Sequence, residues 1–314
     1  MVGWLPVSAQ NSGPQIQPVT ELDESIFPPP TARQHIGHGR MFTNDFLADR
    51  GDRWRTGSYM GSRVWAWDPW QGRAPGTFGD LLELKFGGQI MTPEHLRIYV
   101  PTDRPWAGQL FGGVHTHWTA GAYEMNLGGE IVLVGPQTQL DHLQEVLHDI
   151  FSAPIPSTAV LANQIGNQVW PVVTGEIGRD FALGQIGRVR PFAEFRAGDE
   201  SYVRVGADLT IGMFGVGDLM SRETISGNRY RIAKTEAPGM SFVLGADTAK
   251  VLDSIYLPSS RGFNLTDTRD RVRAGVHWQG EGRSVFYGAT WLGREFVGQR
   301  EPQVVGSVRL QFQF

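Results

Sequence analysis

The chain of 314 residues contains no cysteine. Disulfide frameworks, thiolate metal sites and thiol nucleophiles are therefore excluded, which fits an oxidising envelope compartment where none of them is needed. It also lacks any apolar run of the ~18 residues that a membrane-crossing helix requires. Surplus positive charge is missing as well: the formal net charge is −4, which leaves no electrostatic footprint for nucleic acid. There is no low-complexity linker in mid-chain, so one domain is favoured over two.

What the chain has is alternation. From Gln303 to the end, Val304, Gly306, Val308, Leu310, Phe312 and Phe314 interleave with Ser307, Arg309, Gln311 and Gln313. A period of two is the signature of a strand with one apolar and one polar face. Val203, Val205, Ala207, Leu209, Ile211 and Met213 alternate with polar residues and glycine, as do Val272, Ala274, Val276 and Trp278. Less regular runs near 37–45, 57–67, 80–91, 105–117, 119–134, 171–183, 186–197, 240–256 and 283–293 bring the total to twelve. Each is long enough for a tilted membrane-crossing strand. A mean hydropathy of −0.24 suits strands whose lumen-facing half is polar. Forty glycines, ten tryptophans and seventeen phenylalanines suit close strand packing and interfacial aromatic girdles.

The expected fold is thus all-β: a twelve-stranded antiparallel transmembrane barrel over 36–314, with both chain ends on the periplasmic side. Residues 1–35 read as a signal remnant or an irregular periplasmic lead-in. The terminal Phe314 is of the kind that the outer-membrane insertion machinery recognises, and a monomer is expected. Even strand counting sends the connections near 46–56, 92–104, 135–170, 198–200, 257–270 and 294–302 outward. The third is the longest and carries a predicted helix from Gln137 to Ile150, with Leu140, Leu143, Leu147 and Ile150 as its apolar stripe and Gln144 and His148 one turn apart on a neighbouring face. One connection fits poorly. The stretch from Phe214 to Pro238 falls on the side where turns are short, and reads either as a plug or as additional strand.

Three segments carry chemistry. The first runs Thr43-Asn44-Asp45-Phe46 and then Asp49-Arg50-Gly51-Asp52-Arg53-Trp54-Arg55-Thr56-Gly57; the second is Thr92-Pro93 followed by Asp103-Arg104-Pro105-Trp106-Ala107-Gly108. The third extends from Gly135-Pro136 through Gln144 and His148 to Asn163-Gln164-Ile165-Gly166-Asn167-Gln168. Asn44 and Asp45 offer hard oxygen ligands of the kind Ca²⁺ takes, or else form an Asx turn at a strand end. Asp49 and Asp52 read either as carboxylates supporting that site or as loop charges paired with Arg50 and Arg53.

Taken together, the three segments resemble the bacterial outer-membrane lipid A 3'-O-deacylase family, over nearly the whole chain. The resemblance implies calcium-dependent ester hydrolysis that releases the 3'-acyloxyacyl chain of lipopolysaccharide in the outer leaflet. By matching position it implies that Asn44 and Asp45 hold the Ca²⁺, that Thr56 lines the site, and that His148 is the general base. Arg97, Arg104, Gln144 and Gln164 then become candidates for substrate binding, the arginines through lipid phosphates. Two departures stand out: Arg55 occupies a place where many members have an aromatic residue or the threonine itself, and no lysine lies between Thr92 and Asp103. The competing classes are an outer-membrane phospholipase, expected to use a Ser-His pair on the barrel wall, and a non-enzymatic small porin or binding barrel.

Overall fold

The computed structural model describes residues 32–151, 153–234 and 237–312. Phe314 and most of the 1–35 lead-in lie outside the described residues; within that lead-in, Gln34 and His35 belong to the first strand. Among the described residues no helix is long and apolar enough to cross a membrane.

Strands follow in the order β1 (Gln34–Asn44), β2 (Trp54–Ala66), β3 (Leu81–Thr92), β4 (Ala107–Ala120), β5 (Tyr123–Val134), β6 (Gln168–Gly178), the short β7 (Phe181–Leu183), β8 (Gly187–Ala197) and β9 (Glu200–Ile211). Then come β10 (Leu219–Arg222), β11 (Arg229–Ala233), β12 (Gly239–Ser254), β13 (Arg269–Gly280), β14 (Arg283–Leu292) and β15 (Gln303–Phe312). Twelve of them form one antiparallel sheet in the order β6-β5-β4-β3-β2-β1-β15-β14-β13-β12-β9-β8, and β6 pairs with β8 to close it. β7 merely extends the β8 hairpin.

Alternation decides which way each strand faces, and it is inside-out relative to a soluble protein. In β9, Arg204 and Asp208 are buried while Val203 and Val205 are exposed; in β13, Arg269, Arg271 and Arg273 are buried while Val272 and Trp278 are exposed. Apolar residues on the outer wall and charges in the lumen are what a lipid solvent demands. The lumenal charges neutralise one another: Asp247 is bonded by Arg204, Arg271 and Arg273, and Asp208 by Arg222 and Arg273.

The six connections after alternate barrel strands, including the long 135–167 segment, gather at one end, hereafter the loop end; the other is the turn end. The segment after β9 meets both sequence alternatives, since it plugs the barrel and does so with additional strand. Its β10–β11 hairpin forms a separate two-stranded sheet and packs inside the barrel against β1. Gly37 and Gly39 make this possible, because a Cβ on either would lie 2.2 Å from a β11 carbonyl oxygen. The seam between first and last strands is short: β1 meets β15 over three residue pairs, Phe42 to Asn44 against Val308 to Gly306, whereas β14 meets β15 over ten.

The helix of the long connection is shorter than expected and presents a different face. A 3₁₀ turn at Pro136–Thr138 precedes α1 (Leu140–Phe151), and α2 (Thr158–Ala162) follows, capped by Ser157. Of the predicted apolar stripe only Leu140 is buried; Leu143 and Leu147 are exposed and Ile150 is 68% exposed. The side turned to the protein is Leu140, Gln144 and His148, at steps of four. Leu140 packs with Leu96, Trp106 and Val160 above Ile90 and Leu110 of the wall. An amphipathic helix at the rim of a membrane barrel can leave its apolar stripe to lipid, so the rule used for soluble helices points the wrong face inward here.

Candidate active site

Loop end residues 45–54 leave β1 through a single 3₁₀ turn, Asp45–Leu47, started by Asn44, whose side-chain oxygen accepts the Phe46 amide at 2.8 Å. That is the Asx-turn alternative for Asn44. Asp45 turns inward and is 1% exposed. Its Oδ2 accepts the Arg53 amide at 2.8 Å and the Gln303 side-chain amide at 3.3 Å, and its Oδ1 accepts the Thr56 hydroxyl at 3.1 Å. The same hydroxyl lies 2.9 Å from Asp52 Oδ1. Asp52 Oδ2 in turn faces His148 Nε2 at 3.6 Å. The His148 Nδ1 donates to the Pro154 carbonyl at 2.7 Å, which fixes the ring and leaves Nε2 as the nitrogen able to take a proton.

Asp45, Thr56, Asp52 and His148 thus form one chain of contacts, drawn from two strand ends, one loop and α1. The loop that joins them is strained. Arg50, Asp52 and Trp54 all have positive φ, at 60°, 45° and 54°, a region that costs a non-glycine residue about 1–2 kcal/mol. Trp54 is held there by complete burial, with the Arg53 guanidinium 4.6 Å from its ring centroid. Strain of this sort persists only where surrounding contacts over-determine it.

Electrostatics favour a positive charge beside the two carboxylates. Burial pushes the Asp45 carboxyl up to about 7, against the opposing Arg53 amide bond, with Asp52 and Asp49 adding to the rise. Burial likewise raises Asp52, partly countered by the field of His148 and the Thr56 bond. One hydroxyl proton cannot serve two carboxylate oxygens, and the buried Asp52 Oδ2 has no hydrogen-bond partner. Among the described residues no group of three or more His, Cys, Asp or Glu side chains is arranged to hold a metal. Two converging carboxylates with a hydroxyl between them nevertheless fit a hard cation that completes its shell with waters and backbone oxygens.

Other candidates fall on both sides of this centre. Gln144 is buried, accepts the Trp106 indole N–H at 2.7 Å through Oε1, and leaves its Nε2 unpartnered. Gln164 lies between α2 and β6, with a buried, unpartnered Oε1 and a carbonyl that accepts from Arg261. Arg97 is exposed on the second loop. Arg104 corrects the expectation of phosphate binding: its side chain is fully buried and ion-paired with Glu295, which Arg55 and Arg269 also engage, so its guanidinium is not presented to a lipid. Asp49 is a loop staple, accepting the Gly51 and Val304 amides.

Sequence reading left Asp52 open and missed Gln303. Gln303 accepts the Arg55 amide and donates to Asp45 and to the Arg53 carbonyl, tying the last strand to the first loop. No motif signals it; only barrel closure brings it near Asp45.

The family model for the outer membrane protein LpxR matches residues 37–314. The chain belongs to the LpxR family. It is therefore an integral outer-membrane protein of the lipid A 3'-O-deacylase family. Among solved structures it is similar to LpxR from Salmonella typhimurium, with a TM-score of 0.73 at 16% identity, covering 88% of this chain and 100% of that one. The β domain of the Bordetella autotransporter BrkA, at TM-score 0.38 and 10% identity, covers 89% of this chain and 99% of its own. The NanC porin, at 0.37 and 7%, covers 88% and 100%. No match was found among curated proteins.

Proposed function

We propose that this protein releases the 3'-acyloxyacyl chain of lipid A by calcium-dependent ester hydrolysis, at a site on the extracellular side of the barrel. The observation that carries the reading is the contact chain from Asp45 through Thr56 and Asp52 to His148 Nε2, beside a helix whose apolar face is open to lipid. His148 Nε2 takes the proton of an attacking water, while the Nδ1 bond to Pro154 keeps the ring in the tautomer that can do so. Asp52 favours the imidazolium that results. Asp45, Asp52 and the Thr56 hydroxyl would hold Ca²⁺, with Asn44 at the rim. When bound, the cation supplies polarisation of the ester carbonyl and charge for the oxyanion. Thr56 donates its hydroxyl toward carboxylates rather than to His148, which favours water over Thr56 as nucleophile. The unpartnered Gln144 amide is a further donor for the substrate, and the exposed Arg97 remains a candidate for its phosphates.

The competing classes find less support. Among the described residues no serine hydroxyl is hydrogen-bonded to a histidine, as a phospholipase dyad would need. A porin needs an open lumen, and this one is occupied by the β10–β11 hairpin and paired charges. Mass spectrometry of lipid A from cells with and without the protein, in calcium and in excess chelator, tests the proposal. Loss of the 3'-acyloxyacyl mass only when both protein and calcium are present is the expected result; unchanged lipid A with a correctly inserted barrel would overturn it.

A further inference from the structure

The interior hairpin reaches the site from below. Its tip, residues 223–228, closes with the Glu223 amide bonded to the Asn228 carbonyl and the Gly227 amide to the Glu223 carbonyl. Glu223 is fully buried, and its carboxylate receives five hydrogen bonds. Three come from within the tip: the Ile225 amide at 3.0 Å, the Ser226 amide at 2.6 Å and the Ser226 hydroxyl at 2.7 Å. The other two come from the wall, Ser58 to Oε1 at 2.9 Å and Thr43 to Oε2 at 3.3 Å.

Thr43 and Ser58 are direct cross-strand partners in the β1–β2 ladder. Only one further rung, Asn44 with Gly57, separates them from Asp45, from Thr56 at the start of β2 and from the loop between, which carries Asp52. On the other flank of that loop, the β2–β3 register shifts between Trp54 and Gly57, so ladder pairing holds Thr56 poorly. One carboxylate therefore clamps the last regular rungs below a strained loop, taking one strand with each oxygen. The clamp is itself fixed: Asn228 donates to Thr290 and Ser307, the Thr290 hydroxyl to the Ser226 carbonyl, and Arg271 to the Thr224 and Ile225 carbonyls.

We propose that Glu223 is a positioning residue for the active site, setting the spacing of Asp45 and Thr56 through Thr43 and Ser58 from inside the lumen. The inference rests on the proposed function only for its catalytic consequence; its structural half is independent of substrate. A glutamine keeps the size but offers one acceptor oxygen instead of two, so in Glu223→Gln its NH2 must face either the Ile225 or the Ser226 amide, two donors opposed, and the side chain shifts away from the strands it holds. Misplacement on the order of 1 Å at a reacting centre costs up to about 10²-fold, so kcat should fall by about ten- to a hundredfold while KM for lipid A changes little.

Glu223→Gln and the wall-side pair Thr43→Val/Ser58→Ala, each in the full-length barrel, should share this kcat loss. Ile232→Val, in the lower hairpin, should lower heat stability without it. Amide exchange over residues 44–57 should speed up in the first two variants and not in the third. Unchanged exchange there in a folded Glu223→Gln barrel would overturn the proposal whatever the substrate is. So would wild-type kcat in that variant, or an equal kcat loss in Ile232→Val. A wild-type protein that releases no acyl chain would overturn the proposed function instead, and leave the clamp to be decided by exchange.

Discussion

Replacing His148 with asparagine separates chemistry from structure more cleanly than any other change at this site. The His148 side chain is 14% exposed and makes one hydrogen bond, from Nδ1 to the Pro154 carbonyl. An intramolecular hydrogen bond contributes about 0.5–1.5 kcal/mol net, and the asparagine amide retains a donor for the same carbonyl. α1 stays anchored by buried Leu140 and by the Gln144 bond to Trp106. The structural cost should therefore stay below about 1.5 kcal/mol. Loss of a general base costs on the order of 10²–10⁴ in rate, or about 3–5 kcal/mol of transition-state free energy. The two magnitudes do not overlap. Purified barrels of His148→Asn should show wild-type heat-modified mobility and calcium binding while releasing acyl chains at least about a hundredfold more slowly. His142 lies on the exposed side of the same helix, 71% exposed and 3.7 Å from Glu145, so His142→Asn should be nearly silent. Near-wild-type release by His148→Asn, or an equal loss in both variants, would refute the assignment.

Asp45→Asn should raise the calcium concentration for half-maximal activity by at least about tenfold, since a neutral amide is a poor substitute for a carboxylate ligand; calorimetric titration with CaCl₂ checks this. Proton and cation compete for Asp45. Burial raises its carboxyl to about 7, so in the cation-free protein its contribution to stability is present below the unfolded carboxylate range and lost as pH rises through about 7. Calcium binds the ionised form, so apparent affinity should climb from pH 5 to about 7 and then level off; affinity that falls over this window would contradict the reading. Arg104→Met should lower heat stability with little change in KM for lipid A. Breaking one partner of a buried pair costs about 3–5 kcal/mol, and here the loss should sit near the lower figure because Arg55 and Arg269 still engage Glu295.

Period-two patterning made the twelve strands legible because lipid outside and charge inside give every strand the same alternation. Strand counting also put Asn44, Asp45, Thr56 and His148 at one end. The reach of the residues was harder to read. Arg104 and Arg97 are chemically alike in sequence, but only the first points into a lumen where Glu295 awaits it. The stripe of Leu143, Leu147 and Ile150 looked like a packing face because periodicity reports an apolar side without saying whether protein or lipid covers it. Gln303 and Glu223 carried no local signal. Gln303 comes from the neighbouring last strand and Glu223 from the interior hairpin, 258 and 180 residues away in sequence, and such contacts exist only once the chain has folded round.

The short β1–β15 seam gives that closure a biological edge. Asp45 hangs from the end of the first strand, Gln303 begins the last, and the two are joined where only three rungs bridge the strands. Once those rungs form, the wall surrounds the hairpin between β9 and β12. Closing the sheet and completing the surroundings of Asp45 are therefore one event. A barrel with its seam unzipped would keep the Arg53 amide and the Thr56 hydroxyl on Asp45 but lose the Gln303 bond, and on the proposed function would meet lipid with the surroundings of its cation site incomplete.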